Sequence, residues 1–160
     1  MSTLLMIYHR LLHLMELIPH ALIALLGRFS IAAVFWLSGQ TKIEGFAINI
    51  INGEYIFGWP TLARSTIFLF QYEYQLPLIP ADIAAVLATI AEHVFPILIL
   101  LGLGTRVSAL ALLIMTAVIQ FLVYPSAYAL HGVWAVVLLY LMKNGAGVFS
   151  LDYLIHKRYS

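Results

Sequence analysis

The sequence predicts an all-α polytopic membrane protein: an antiparallel four-transmembrane-helix bundle with an N-terminal amphipathic segment and a long first extracytoplasmic loop. Three observations carry that prediction. Of 160 residues, 63% are hydrophobic and only 9% charged, and the mean hydropathy is +0.99, more apolar than a soluble domain of this size requires. Several runs approach the ~20 apolar residues needed to cross a bilayer. Breaker residues (Pro19, Pro80, the Gly-rich turn at 102–105, Pro125) punctuate those runs at intervals that suit four spans in one domain, residues 1–160.

Composition also excludes function classes. The net charge is +1 and the charges are scattered, so no basic stripe is available for nucleic acid. With no cysteine, disulfides, iron–sulfur clusters and thiolate zinc sites are ruled out. Any redox role must therefore use a bound quinone, flavin, metal or haem. The first ten residues lack a signal-peptide pattern, so the N-terminus is expected to be retained.

Residues 1–19 form an amphipathic N-terminal segment. His9, His13, Glu16 and His20 recur at spacings of four, three and four, which places them on one helix face. That face suits either a weak metal site using His9, His13 and Glu16 or, as the favoured reading, a helix lying on the membrane with its polar side toward water. The first span is expected at about 21–43. At 100° per residue, Arg28, Phe35, Ser38, Gly39 and Lys42 share a broad face of this helix. Arg28 lies about two turns inside the span, whereas Lys42 stands at the far end, where snorkelling to the headgroups is its expected role.

Residues 44–80 form the long outer loop, which carries aromatics and six Gly and Pro residues; it is expected to pack on the membrane surface as a lid over the bundle mouth. The second span, 81–101, carries Asp82 as its expected N-cap and sets Thr89, Glu92 and Pro96 on one face, with His93 on its flank. After the turn at 102–105 the third span, 106–124, aligns Arg106, Thr116, Gln120 and Tyr124. The fourth, 128–142, begins with His131 and Trp134, and residues 143–160 form a tail. Arg10, Arg106, Lys143, Lys157 and Arg158 fall on one side of this plan and Lys42 and Arg64 on the other. The positive-inside rule thus puts both termini in the cytoplasm of a prokaryote, with the chain in its inner membrane.

Glu92 demands a partner, because an unpaired charge in a span is costly. Counting 1.5 Å per residue puts Arg28 roughly 10 Å and Glu92 roughly 15 Å from the cytoplasmic boundary, which makes an Arg28–Glu92 ion pair the expectation. Arg28, Glu92 and His93 are thus candidates for a structural ion pair or a proton site. His20, His93 and His131 lie at three different depths, so a bis-His haem is not expected. Arg106 is expected to anchor the turn or cap the preceding helix, and Asp152 to hold the tail against the turn at 145–147.

The strings RFSIAAVFWLSGQTKI, AEHVFPILILLGLGTRVSALALLIMT and GAGVFSLDYLI, in that order on a four-span plan, resemble the DoxX family of small four-helix membrane proteins. The resemblance covers residues 28–155 and is carried by Arg28, Ser38, Gly39, Lys42, Glu92, Gly102, Arg106, Gly145, Gly147, Ser150 and Asp152. FQYEYQLPLIP and the His131–Trp134 pair resemble one branch of it. The family is named after a relative of the membrane subunit of an archaeal thiosulfate:quinone oxidoreductase. The resemblance implies a membrane subunit of a redox complex, at most non-catalytic or quinone-reactive, whose soluble redox partner is a separate chain. On that reading a quinone or other small lipophile binds in the outer half of the bundle, lined by Gln120, Tyr124, His131 and Trp134 with Lys42 at the mouth. Competing readings are a small transporter, a metal- or proton-handling protein, and a membrane anchor for a soluble enzyme. Homo-oligomerisation is open.

Overall fold

The computed structural model describes residues 3–50 and 52–159; Ile51, within the expected outer loop, lies outside the described residues. The helical elements are α1 (Thr3–Glu16), α2 (His20–Gln40), α3 (Arg64–Leu69), α4 (Ala81–Leu101), α5 (Thr105–Val118), α6 (Tyr128–Asn144) and α7 (Leu151–Tyr159), and a two-stranded hairpin, β1 (Ile43–Asn49) and β2 (Glu54–Leu62), follows α2. Four stretches are long and apolar enough to cross a membrane: His20–Gln40, Ala81–Leu101, Thr105–Val123 and Pro125–Asn144.

Helices α2, α4, α5 and α6 pack as a four-helix bundle, each against two neighbours. The core is small and tightly filled, with Ala24, Ile31, Ala32, Phe35, Ile99, Ala109, Leu112, Leu138 and Leu141 buried together. The outside is the reverse of a soluble protein. Leu26, Phe29, Leu87, Ile90, Ile114, Val133 and Val136 all project from the bundle, and only lipid can cover so continuous an apolar belt without cost. The chain is an integral membrane protein in contact with the bilayer.

Element ends follow local chemistry. Pro19 and Pro80 precede α2 and α4 in extended conformation, as the residue just before a helix should be. Gly102, at φ 68°, closes α4, and Leu103 N–H donates to Leu98 O (2.9 Å), the paired geometry of a glycine-terminated helix. Asp82 falls in the first turn of α4 and makes no side-chain cap, contrary to expectation. Pro96 lies inside α4; lacking an N–H, it cannot bond the carbonyl of Glu92 four residues back, so the backbone ladder is broken at the turn that carries the carboxylate.

The region 44–80 is more ordered than an expected surface loop. β1 and β2 pair antiparallel, from Ile43 opposite Leu62 to Asn49 opposite Glu54, with a bulge between Glu44 and Phe46 where Gly45 takes φ 83°. The chain then enters α3 and a π-turn, Phe70–Tyr74, seated over Ala84 and Ala85 of α4. A second π-turn, Ile119–Val123, extends α5. The two π-turns meet at the hairpin end of the bundle, where the rings of Tyr74 and Tyr124 contact edge-on at 5.7 Å.

Candidate functional site

The antiparallel crossing of α2 and α4 decides which polar side chains meet. Residue numbers rise on one helix as they fall on the other, so Arg28 lies level with Ile99 and Leu100, and Ser38 level with Glu92. Arg28 and Glu92 are therefore separated by about seven residues of α4, roughly 10 Å of rise. The expected Arg28–Glu92 pair is not formed; counting depth from an assumed membrane boundary concealed this offset.

Arg28, only 2% exposed, donates instead to four backbone carbonyls: Nε to Ile99 O (2.8 Å), Nη2 to Leu100 O (2.5 Å), and Nη1 to Ala146 O (3.0 Å) and Phe149 O (2.6 Å). The guanidinium thus neutralises the negative end of α4 and ties it to the segment between α6 and α7. Beside it, Asp152 accepts from the backbone N–H groups of Gly104 (2.8 Å) and Thr105 (3.0 Å). Asp152 therefore caps α5, where the sequence suggested a tether for the 145–147 turn. Ser150 Oγ donates to Gly147 O (2.6 Å) and accepts from Tyr153 N–H (3.1 Å), starting α7. Arg106, expected to anchor the turn or cap α4, lines a cavity with Gly104, Asn144, Gly145 and Asp152; Arg28 does the capping.

At the hairpin end, Lys42 was expected to snorkel but is 6% exposed, and Glu92 is 3% exposed. Lys42 Nζ lies 2.6 Å from Glu92 Oε2 and donates to Ser38 Oγ (3.0 Å) and Ser38 O (3.2 Å). Ser38 Oγ in turn donates to Glu92 Oε1 (3.2 Å). The chain turns back just after α2, and the Lys42 carbonyl accepts from Ala63 N–H (2.9 Å) and Thr66 Oγ1 (3.1 Å). Those bonds fix the lysine over the bundle, which is why its ammonium points inward. Gly39 permits the close approach, since a Cβ there would sit 2.8 Å from His93 Cε1 and 3.1 Å from Glu92 Cβ.

His93 joins this cluster through groups that sequence reading did not single out. Its Nδ1 is 2.7 Å from Thr89 O and its Nε2 is 3.0 Å from Gln40 Nε2. Gln40 Oε1 accepts from Ile48 N–H (2.7 Å), and Trp36 Nε1 donates to Ile48 O (2.9 Å). Trp36 also meets the His93 ring edge-on at 5.2 Å. Two side chains of α2 thereby hold β1 against the bundle. Their only sequence signal was a polar residue and a tryptophan near the end of an apolar helix.

Below that hairpin, a groove beside the α2–α4 contact leaves a cavity of about 310 Å³, partly open and lined by Phe29, Ala32, Ala33, Trp36, Leu37, Ile48, Asn49, Ile50, Pro96, Ile97 and Leu100. Small alanines on α2 and the ring of Pro96 on α4 make the room. The lining shares no residue with the expected site at Gln120, Tyr124, His131, Trp134 and Lys42. Of those, His131 Nδ1 is 2.7 Å from Gln120 Oε1, so it carries the proton, and Gln120 Nε2 donates to Pro125 O (2.7 Å). Trp134 packs on His131 (5.0 Å) and Phe35 (5.5 Å). Tyr124 turns away to donate to the Glu73 carboxylate. That bond, chiefly, and partial burial raise the Tyr124 pKa above the ordinary tyrosine value; burial does the same for Tyr74. The five residues thus divide into a His131–Gln120–Trp134 group, a tyrosine rim, and the lysine of the Glu92 cluster.

His9, His13 and Glu16 lie on an exposed helix, with His13 Nδ1 3.8 Å from Glu16 Oε2. Among the described residues, no group of three His, Asp or Glu is placed to share a metal ion.

A comparison with curated proteins finds a relative in Haemophilus influenzae, described as an uncharacterized protein, 37% identical over 97 residues that make up 56% of this chain and 64% of the relative. The chain thus spans just under two thirds of that relative's length. No solved structure matches. The DoxX family model matches residues 23–125, from α2 through the end of the third span and including both Arg28 and the Lys42–Glu92 cluster. The chain belongs to the DoxX family of membrane proteins.

Proposed function

We propose that this protein is a membrane subunit that admits a quinone, or a lipophile of similar shape, from the bilayer into the cavity between α2 and α4. The observation that carries the reading is that one apolar cavity, open toward lipid, shares Trp36 with a buried cluster of titratable side chains. A ligand site of this kind is mostly apolar, with few polar groups at one end. Here those groups are Trp36 and Asn49, backed by His93, Glu92 and Lys42. The expected site near His131 is replaced in this reading, because Gln120 and His131 already satisfy each other. The electron partner is a separate soluble chain. The excess of Arg and Lys on the side of the termini supports an inner-membrane protein with cytoplasmic ends and an outward-facing hairpin.

A titration of the purified protein in nanodiscs with decylubiquinone, followed by tryptophan fluorescence, tests the reading. Saturable quenching is expected, weakened roughly tenfold or more, about 1.4 kcal/mol, in Ala33→Phe. Quenching that does not saturate, or that is unchanged in Ala33→Phe, contradicts it. A second reading, proton transfer without a lipophile, draws on the continuity of Glu92, Lys42 and Ser38. Proton flux in liposomes that is lost in Glu92→Gln, together with no ligand response, would favour it.

A further inference from the structure

We infer that His93, Gln40 and the Ile48 backbone form a proton-operated latch that holds the β1–β2 hairpin over the cavity; as regulation of that site, it rests on the ligand-binding reading above. The polarity of the chain of hydrogen bonds is fixed from both ends. Thr89 O can only accept, so His93 Nδ1 must carry a proton. Ile48 N–H can only donate, so Gln40 must turn its Oε1 toward the hairpin. The Gln40 Nε2 amide then faces His93 Nε2 at 3.0 Å, and that nitrogen must accept. The bonds are complete only with His93 neutral.

A proton added at Nε2 has no arrangement that satisfies it. With Gln40 in place, two donors face each other. If the Gln40 amide turns over, its oxygen meets His93 but its NH2 now confronts Ile48 N–H. Either the histidine or the hairpin loses its partner, and the hairpin has few others on α2. It is held to α2 at this point by the Gln40 bond and by Trp36 Nε1 to Ile48 O. Ile48, Asn49 and Ile50 are also the hairpin residues that line the cavity. Protonation of His93 thus removes one of the two side-chain ties on the part of the chain that roofs the ligand site and loosens it.

Charged and titratable groups approach His93 from several elements. On its own helix the neighbour is Glu92, and from α2 comes Lys42, 2.6 Å from that carboxylate, so the two compensate each other. From the π-turn, Tyr74 is near enough to Glu92 to feel its charge. From the hairpin the facing group is the uncharged Ile48 backbone. Gln40→Glu reverses the logic, because a carboxylate accepts at both oxygens. It satisfies Ile48 N–H and a protonated His93 together, but leaves two acceptors facing each other when His93 is neutral.

The chain has no cysteine, so paired spin labels are clean. Labels at Asn52→Cys near the hairpin turn and at Val136→Cys on the outer face of α6 would report hairpin position in nanodiscs without any ligand. Lowering pH from about 8 to about 5 spans the histidine range. The wild-type background should lose its narrow distance population on acidification, and Gln40→Glu should gain one. His93→Phe should be broad at both values. A wild-type distribution that does not change with pH overturns the latch, as does a Gln40→Glu response in the wild-type direction. Because no quinone is present, failure of the ligand reading leaves this outcome readable, and failure of the latch leaves the decylubiquinone titration intact.

Discussion

At one end of the bundle Arg28 directs its whole guanidinium at four backbone carbonyls, whereas at the other Lys42, Glu92 and Ser38 bond chiefly to one another through their side chains. Both clusters are buried, and both use residues by which the sequence resembles its family. They nevertheless do different things. Carbonyls do not titrate within any accessible pH, so the Arg28 bonds close α4 and anchor the segment before α7 whatever the pH. The Lys42–Glu92 end holds titratable side chains, beside a cavity and a hairpin held by two side chains. A buried ion pair is weak as a source of stability, and the proposed function gives this one a second role.

Substitutions at the two ends should differ in kind. Arg28→Met should be the most damaging substitution, leaving four inward carbonyls without their charged donor and lowering stability by about 3 kcal/mol or more; Arg28→Lys should recover only part, since an ammonium cannot reproduce the fork. Unfolding in mixed micelles measures both. Lys42→Met should cost about 3 kcal/mol by stranding the Glu92 carboxylate, and Lys42→Met with Glu92→Gln should recover most of that loss while leaving the proposed site inactive. If the double substitution is as unstable as the single one, the pair is structural after all.

Backbone positions sharpen the contrast further. Gly102→Ala should cost about 2 kcal/mol: the residue holds φ 68°, and its new Cβ would lie 2.5 Å from Ser150 Cβ and 2.9 Å from Arg28 Cζ. Gly39→Ala should cost about 1–2 kcal/mol, since its obstacle is the edge of the His93 ring, and that side chain has some room to move. Thermal unfolding followed by circular dichroism ranks the two. The smallest effect, about 1 kcal/mol, is expected for Gln120→Leu, which removes one hydrogen bond from His131.

The fold was legible because bilayer thickness and hydropathy act on whole segments: four apolar runs and their Pro and Gly breaks needed no knowledge of contacts. Partners were not legible in the same way. Glu92 announced itself as a buried charge, but its level against α2 depends on how two helices cross, and an offset of seven residues moved its partner from Arg28 to Lys42. Lys42 itself read as a headgroup residue because the chain reversal that turns it inward is made by Ala63 and Thr66, some twenty residues later. The hairpin escaped notice because Gly45, Gly53, Gly58 and Pro60 interrupt its alternation. Gln40 gave only the weak signal of a polar residue at a helix end, since its importance lies in an amide that joins a histidine to a backbone N–H.

Photolabelling with an azido-quinone analogue, followed by peptide mapping, tests the central assignment most directly. Adducts should fall on α2 between Phe29 and Leu37, on α4 between Pro96 and Leu100 and on the hairpin around Ile48 and Ile50, and should be competed away by decylubiquinone. Adducts concentrated on Gln120, His131 or Trp134, or labelling that decylubiquinone does not compete, would contradict it.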